Sequence, residues 1–371
     1  MKFTTTAGEL QRALSKVSSV VPTKSTMPIL EYILFDLLNN TLVITATDVE
    51  ISQTISMEVK GVEDGRIAVP SKRLLDTVRS LPDTEIAFNI DTTSQKIKLT
   101  TKNGEYNITG EDAKEFPAVP SMSKMDELTI EGSVLKKIIN RTAFAVSTDE
   151  LRPAMMGVLL QAKGSEMRAI ATDGHRLVRF SYKLPKESVM KGDIIVPAKA
   201  LNIIHKILDT GTVKIGISQT HVRFEFDSIV LVSQLIAETY PNYESVIPTE
   251  NDKLLVVNRE EMISTIRRVA LYASATTHQI KLSLRKNQLT VSAQDIDFGG
   301  EAKETLDCEY TSDDLDIGFN SVYLTDMLTH LDSESVAFKF STPTRAGVVT
   351  PAGENVNEDV LMLVMPVRLN V

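Results

Sequence analysis

Three stretches of this 371-residue chain repeat one another at nearly constant spacing, and that repeat limits the possible folds more than any other feature. Residues 42–51 read LVITATDVEI, residues 167–177 MRAIATDGHRL and residues 289–298 LTVSAQDIDF. Their aspartates, Asp48, Asp173 and Asp295, lie 125 and 122 residues apart. Each stretch alternates apolar and polar side chains and then meets a turn, as a half-buried strand does. A period this long is that of a whole domain rather than of a solenoid unit, and the chain is too long for one ordinary core.

Other signals keep the same spacing. Before each strand region an apolar stripe recurs at offsets of three and four. The stripes are Leu10, Leu14, Val17 and Val21, then Leu135, Ile138, Ile139 and Thr142, then Met262, Ile263, Ile266 and Val269. This is the face an amphipathic helix lays on a sheet. A second helix follows in each repeat, carrying Leu74, Leu75 and Val78, then Leu201, Ile204 and Leu208, then Leu324, Met327, Leu328 and Leu331. Pro70 and Pro197 are expected at the first helical position of two of them, where the missing N–H costs nothing, and Asn320 is expected to cap the third. Short alternating strands follow at residues 85–90, 96–101, 213–217 and 336–340. Proline-bearing stretches at residues 116–120 (FPAVP) and 240–248 (YPNYESVIP) each precede a polar run, which divides the chain into domains at 1–122, 123–249 and 250–371. The expected fold class is α+β, with three similar domains of two helices packed on antiparallel sheets.

Composition excludes several classes. No segment has the length and apolarity of a membrane-spanning helix. The polar N-terminal region and the single cysteine, Cys308, lead us to expect a cytoplasmic protein without disulfides or a cysteine-built zinc site. No phosphate-binding GxxxxGK[ST] loop occurs. The formal net charge of −9 does not exclude a nucleic-acid partner, because phosphate contact depends on local potential. Basic residues do gather on the helical stretches, among them Arg12 and Lys16, Lys72, Arg73 and Arg79, Lys136, Lys137 and Arg141, Lys199 and Lys206, and Arg259, Arg267 and Arg268. The sixth helical stretch has none and carries Asp326. The same positions are equally those of ordinary solvated helix faces.

Asp173 and His175 stand two apart, which raises the question of catalysis or metal binding. No third ligand lies at metal-like spacing, and the other repeats have Glu50 and Asp297 where His175 stands. An aspartate common to all three repeats is better explained by a turn whose backbone it binds. A hydrolase using Asp173 and His175 and a three-domain scaffold that threads no DNA are the rival readings.

Taken in order and spacing, several motifs resemble the bacterial DNA polymerase III beta-subunit family. They are residues 172–177 (TDGHRL), the terminal MPVRL at residues 365–369, MPIL at residues 27–30, residues 318–320 and the stretch at residues 240–248. The resemblance covers the whole chain. It implies the DNA clamp fold, a head-to-tail homodimeric ring of six domains around duplex DNA, loaded by an ATP-driven clamp loader and without chemistry or a cofactor of its own. Expected partners are double-stranded DNA in any sequence, a second copy of the chain, the replicative polymerase alpha subunit, the clamp loader, and other replication and repair polymerases and ligase. No membrane role is expected.

The resemblance also implies site residues. A pocket between the second and third domains receives partner peptides, and its positions here are Met155, Thr172, Gly174, His175, Arg176, Leu177, Pro241, Val246, Leu363, Met365, Pro366, Val367, Arg368 and Leu369. Leu177, Val246, Met365 and Val367 suit apolar recesses, and His175, Arg176 and Arg368 a rim of donors. The DNA-facing set is Lys24, Arg73, Lys136, Lys137, Arg141, Lys199 and Lys206, and the dimer set Lys72, Arg73, Tyr106, Ile108, Leu271 and Tyr272. The chain departs from the family in two places. Pro153 and Ala154 stand where some relatives carry DNA-touching aromatics, and Asn370 and Val371 follow the leucine at which the family usually ends.

Overall fold

The structure is a computed structural model that describes residues 1–122, 125–185, 190, 192–296, 298–353 and 356–369. Asp297, Asn370, Val371 and part of the polar run after Pro120 lie outside the described residues. Six α-helices occur among the described residues: α1 (Ala7–Val17), α2 (Ser71–Ser80), α3 (Gly132–Thr142), α4 (Ala198–Ile207), α5 (Arg259–Ala270) and α6 (Ser321–Thr329). They lie where the apolar stripes predict them, but end earlier, so that Val21, Leu208 and Leu331 fall beyond the helices. Pro70 and Pro197 stand one position earlier than expected, ending a strand immediately before the helix. Asn320 caps α6 as expected, its Oδ1 accepting from the backbone N of Val322 at 2.9 Å and of Tyr323 at 3.4 Å.

The chain forms two compact units, each built from strands of successive repeats. The first comprises residues 1–136 and 199–235. It holds a five-stranded sheet that ends on the edge strand Glu105–Thr109, and an eight-stranded sheet. In the larger sheet, Ile229–Gln234 of the second repeat pairs antiparallel with Ile51–Glu58 of the first, Ser233 opposite Ile51. Alternating strands turn Phe3, Phe35 and Phe88 inward; the rings of Phe3 and Phe88 stack at 4.5 Å, and Phe35 is fully buried beside both.

The second unit comprises residues 137–198 and 236–371. Its nine-stranded sheet joins Arg176–Lys183 of the second repeat to Glu358–Val364 of the third, Arg176 opposite Val364 and Leu177 opposite Leu363. Its four-stranded sheet begins on the edge strand Gly300–Asp307. The two joined sheets thus repeat one arrangement at different points of the chain.

The repeated aspartate builds the turn between two such strands. Asp48 Oδ1 accepts from the backbone N of Glu50 at 3.1 Å and of Ile51 at 2.7 Å, while Thr47 Oγ1 donates to the carbonyl of Ile51 at 3.0 Å. Asp173 Oδ1 does the same for His175 and Arg176, both at 2.9 Å, and Thr172 Oγ1 donates to the carbonyl of Arg176 at 2.7 Å. Asp295 Oδ1 accepts from Phe298 N at 3.2 Å. In the first two of these turns the second residue takes a positive φ: 89° at Gly174 and 83° at Val49. A β-branched residue is strained there by about 1–3 kcal/mol, whereas glycine gives back about 0.5–1 kcal/mol in chain entropy. Val49→Gly is therefore expected to stabilise the fold by about 1 kcal/mol, read as a raised urea midpoint. A lowered midpoint would show that the turn does not strain Val49.

Candidate functional site

The second Asp turn sits at the end of the joined sheet of its unit, and the chain after Glu358–Val364 runs past it. Met365 N donates to His175 O at 2.8 Å, and Val367 N donates to Gly318 O at 2.9 Å. Gly318 permits that approach: a Cβ there would lie 2.7 Å from Val367 O and 2.8 Å from Leu369 Cδ2. Residues 365–369 are thus laid along both the turn and the start of α6 by backbone bonds. The strands that meet at the turn contribute to an apolar floor of Leu159, Ile170, Leu177, Ile195, Tyr243, Ala346 and Leu363, all buried, with Ala154, Ile236, Tyr240 and Ile247 packed against it. The floor draws in the segment from Tyr240 to Ile247, which carries Pro241 and Val246. Val246, next to Ile247, and Met365, two residues after Leu363, remain exposed, by 53% and 42%.

Met155 is tied to the turn through Arg152. The Arg152 Nη1 atom donates to Asp173 O at 3.2 Å and lies 4.0 Å from Met155 Sδ. Arg152 Nε also donates to Asp149 at 2.8 Å. His175 is exposed at the turn tip, and its ring stacks on Tyr323 of α6 with centroids 5.8 Å apart. Burial, then the charge of Asp173, pushes the Tyr323 phenol above its ordinary pKa, so it stays a neutral hydroxyl at pH 7. Burial does the same to Tyr240, whose hydroxyl lies 3.5 Å from Ile170 O. Pro366, Val367 and Leu369 are half-buried, and Arg368 is exposed.

Several expected members take a different place. Leu177, expected to offer an open recess, instead forms floor together with Leu363. Thr172 is buried and spent on the turn. Arg176, expected on a donor rim, is buried: its Nε donates to Asp173 at 3.1 Å, Nη1 to Asp326 at 2.7 Å and Nη2 to Phe144 O at 3.0 Å. Tyr323, Asp326, Phe144 and Arg152 belong to this constellation, and sequence reading did not find them. Only tertiary folding brings α6 against the turn, so no local pattern announces them.

The arrangement is unsuited to acid–base chemistry. The Asp173 carboxylate is taken up by its own turn and by Arg176, while the imidazole of His175 faces Tyr323. Among the described residues no group of His, Cys, Asp and Glu is placed to hold a metal ion. What this surface offers instead is an exposed methionine, valine, histidine and arginine near a buried apolar cluster. A concavity of about 340 Å³ shares Leu159, Ile195, Tyr240 and Tyr243 with this floor and is otherwise lined by polar side chains such as Gln161, Asp193 and Glu238.

The expected cationic and dimer residues divide by environment. Lys24, Lys72, Arg73 and Lys206 are exposed and carry no ion pair among the described residues, and Lys136 is half-buried. Lys137 pairs with Glu358 at 2.6 Å, and Lys199 pairs with Asp48. Arg141 is corrected: its side chain is buried at the end of α3 and paired with Asp332, so it presents no free charge. Desolvation by that burial lowers its pKa. Tyr106, Leu271 and Tyr272 are exposed, Leu271 by 81%. Ile108 is corrected as well: it is buried opposite Ile97 and belongs to the core of its own sheet.

Three family descriptions match the chain in succession: the N-terminal domain of the DNA polymerase III beta subunit over residues 1–120, its central domain over 129–242 and its C-terminal domain over 244–368. The chain is similar to the beta sliding clamp of Chlamydia muridarum, at 31% identity over the full length of both. Among solved structures it is similar to the sliding clamp of Bartonella birtlesii bound to griselimycin, with 31% identity and a TM-score of 0.95, and to that of Pseudomonas aeruginosa bound to the same compound, with 30% identity and a TM-score of 0.94; each match covers all of both chains.

Proposed function

The chain belongs to the bacterial DNA polymerase III beta-subunit family, and from that premise we infer how its residues carry out the work of a sliding clamp. It is a non-catalytic DNA clamp that tethers polymerase to its template and confers processivity. The observation that carries this conclusion is the succession of three domain matches along the whole chain. A clamp contributes by enclosure. Once closed around duplex it holds the polymerase near the primer end at high effective concentration, although each contact to DNA is weak.

In our reading the domains run over residues 1–122, 123–249 and 250–371, and two copies close head to tail. The two edge strands favour this. Glu105–Thr109 and Gly300–Asp307 each end a sheet within their own unit, and an unpaired edge seeks a partner. Tyr106 stands on the first, and Leu271 and Tyr272 are exposed in the unit of the second, supplying the apolar centre that a stable homodimer needs. Lys72 and Arg73 then meet acidic side chains across the seam. Lys24, Arg73, Lys136, Lys137, Lys199 and Lys206 face the DNA and act on backbone phosphate, without reading bases and with strong salt dependence. The groove around His175, Val246 and Met365 takes peptides of the replicative polymerase alpha subunit, the clamp loader, other replication and repair polymerases and ligase. Among the described residues no helix is long and apolar enough to cross a membrane, and we place the protein in the cytoplasm.

The decisive experiment loads the protein onto closed circular DNA with clamp loader and ATP. Retention on the circle and loss after linearisation are expected; equal loss from both forms would remove enclosure as the mechanism. Lys24→Glu is expected to lower loading several-fold at physiological salt, while affinity for a polymerase peptide stays within about twofold. Unchanged loading would take Lys24 off the DNA-facing set.

A further inference from the structure

We propose that Asp326 on α6 is a positioning residue for peptide docking, and that it acts through Arg176 rather than by touching the peptide. The inference rests on the docking reading of the groove and adds to it. Arg176 lies between two aromatic rings, its guanidinium carbon 4.8 Å from the Tyr323 centroid and 5.3 Å from that of Phe144. Its three nitrogens are bonded to Asp173, Asp326 and the Phe144 carbonyl, and the side chain is 9% exposed. Three of its five N–H donors are engaged in this way, and burial removes most of the side chain from an incoming peptide. Such planar, multiply bonded arginines fix geometry.

What Arg176 fixes is the relation of the turn to α6. Asp326 and Tyr323 are three residues apart on α6, so they share a helical face. Asp326 holds the guanidinium from one side, and Tyr323 packs on it from above. The ring of His175 stacks on the same tyrosine, and the carbonyl of His175 accepts from Met365 N at 2.8 Å. The chain of contacts from Asp326 to Arg176, Tyr323, His175 and Met365 is continuous. The first-repeat turn lacks it. There Ile51 stands where Arg176 does and supplies no cation, Lys199 of α4 pairs with Asp48 itself, and Glu50 stands where His175 does. The shared turn therefore does not by itself make a groove; the clamping of an arginine by α6 is particular to the second unit.

The test uses the full-length protein and the C-terminal peptide of its replicative polymerase. By calorimetry, Asp326→Asn is expected to weaken the peptide about tenfold, as for residues coupled in one network. Asp326→Asn added to Arg176→Ala is expected to change affinity no further, because both act on the same element. Separate additive losses would overturn the proposal, as would wild-type affinity in Asp326→Asn. Methyl NMR reports positioning apart from stability: the Met365 methyl signal should shift in Asp326→Asn while those of Met57 and Met262 stay in place. An unmoved Met365 signal would also overturn it. The docking reading fails separately, if the peptide does not bind the wild-type protein or if His175→Ala with Met365→Ala leaves affinity unchanged.

Discussion

Alanine at both His175 and Met365 is expected to weaken binding of a polymerase C-terminal peptide by about a hundredfold or more, with the dimer intact. Two contacts at the centre of a groove each contribute about 1–2 kcal/mol or more, and about 1.4 kcal/mol is tenfold. Met365 has an exposed, flexible thioether beside the apolar floor, suited to partners that differ in their anchors. His175 is linked to it through the backbone bond at 2.8 Å. Neither residue belongs to an edge strand, so sedimentation should report an unchanged dimer. Calorimetry showing wild-type affinity would remove the groove as the docking site.

The largest expected loss of stability comes from Phe35→Ala. Phe35 is fully buried, with ring centroids 6.3 Å from both Phe3 and Phe88. Truncating such a ring loses its burial and leaves a cavity, together about 3–5 kcal/mol. The effect opposes the gain expected from Val49→Gly, and the two sites can be followed in the same urea titration. A change below about 1 kcal/mol would mean that the Phe3–Phe88 stack closes over the gap.

Much of this architecture was legible in the chain because it is encoded locally. The six helices follow from apolar stripes at helical spacing, Asn320 caps α6 as its side chain suggests, and the role of the repeated aspartate follows from one side chain bonding two nearby N–H groups. What escaped depends on partners distant in sequence. Arg141 looks like a solvated charge until Asp332, 191 residues away, is folded against it. Arg176 looks like a donor until Asp326 and two rings enclose it. Tyr106 and Ile108 share one face by strand alternation, yet one is exposed and the other is covered by its own sheet. The joining of strands from successive repeats into one sheet is equally invisible, because a strand's pattern records its two faces and not its neighbours.

The threonine–aspartate turn has a consequence for how such a protein diversifies. Its shape is maintained by Thr172 and Asp173, as by Thr47 and Asp48, through bonds to the main chain of the turn. The side chain at the tip takes no part in those bonds. One copy can therefore carry a glutamate there and another a histidine without disturbing the strands on either side. Two such corners stand in the chain, and a partner-recognition role could be written onto one of them by changing residues that the architecture leaves unconstrained.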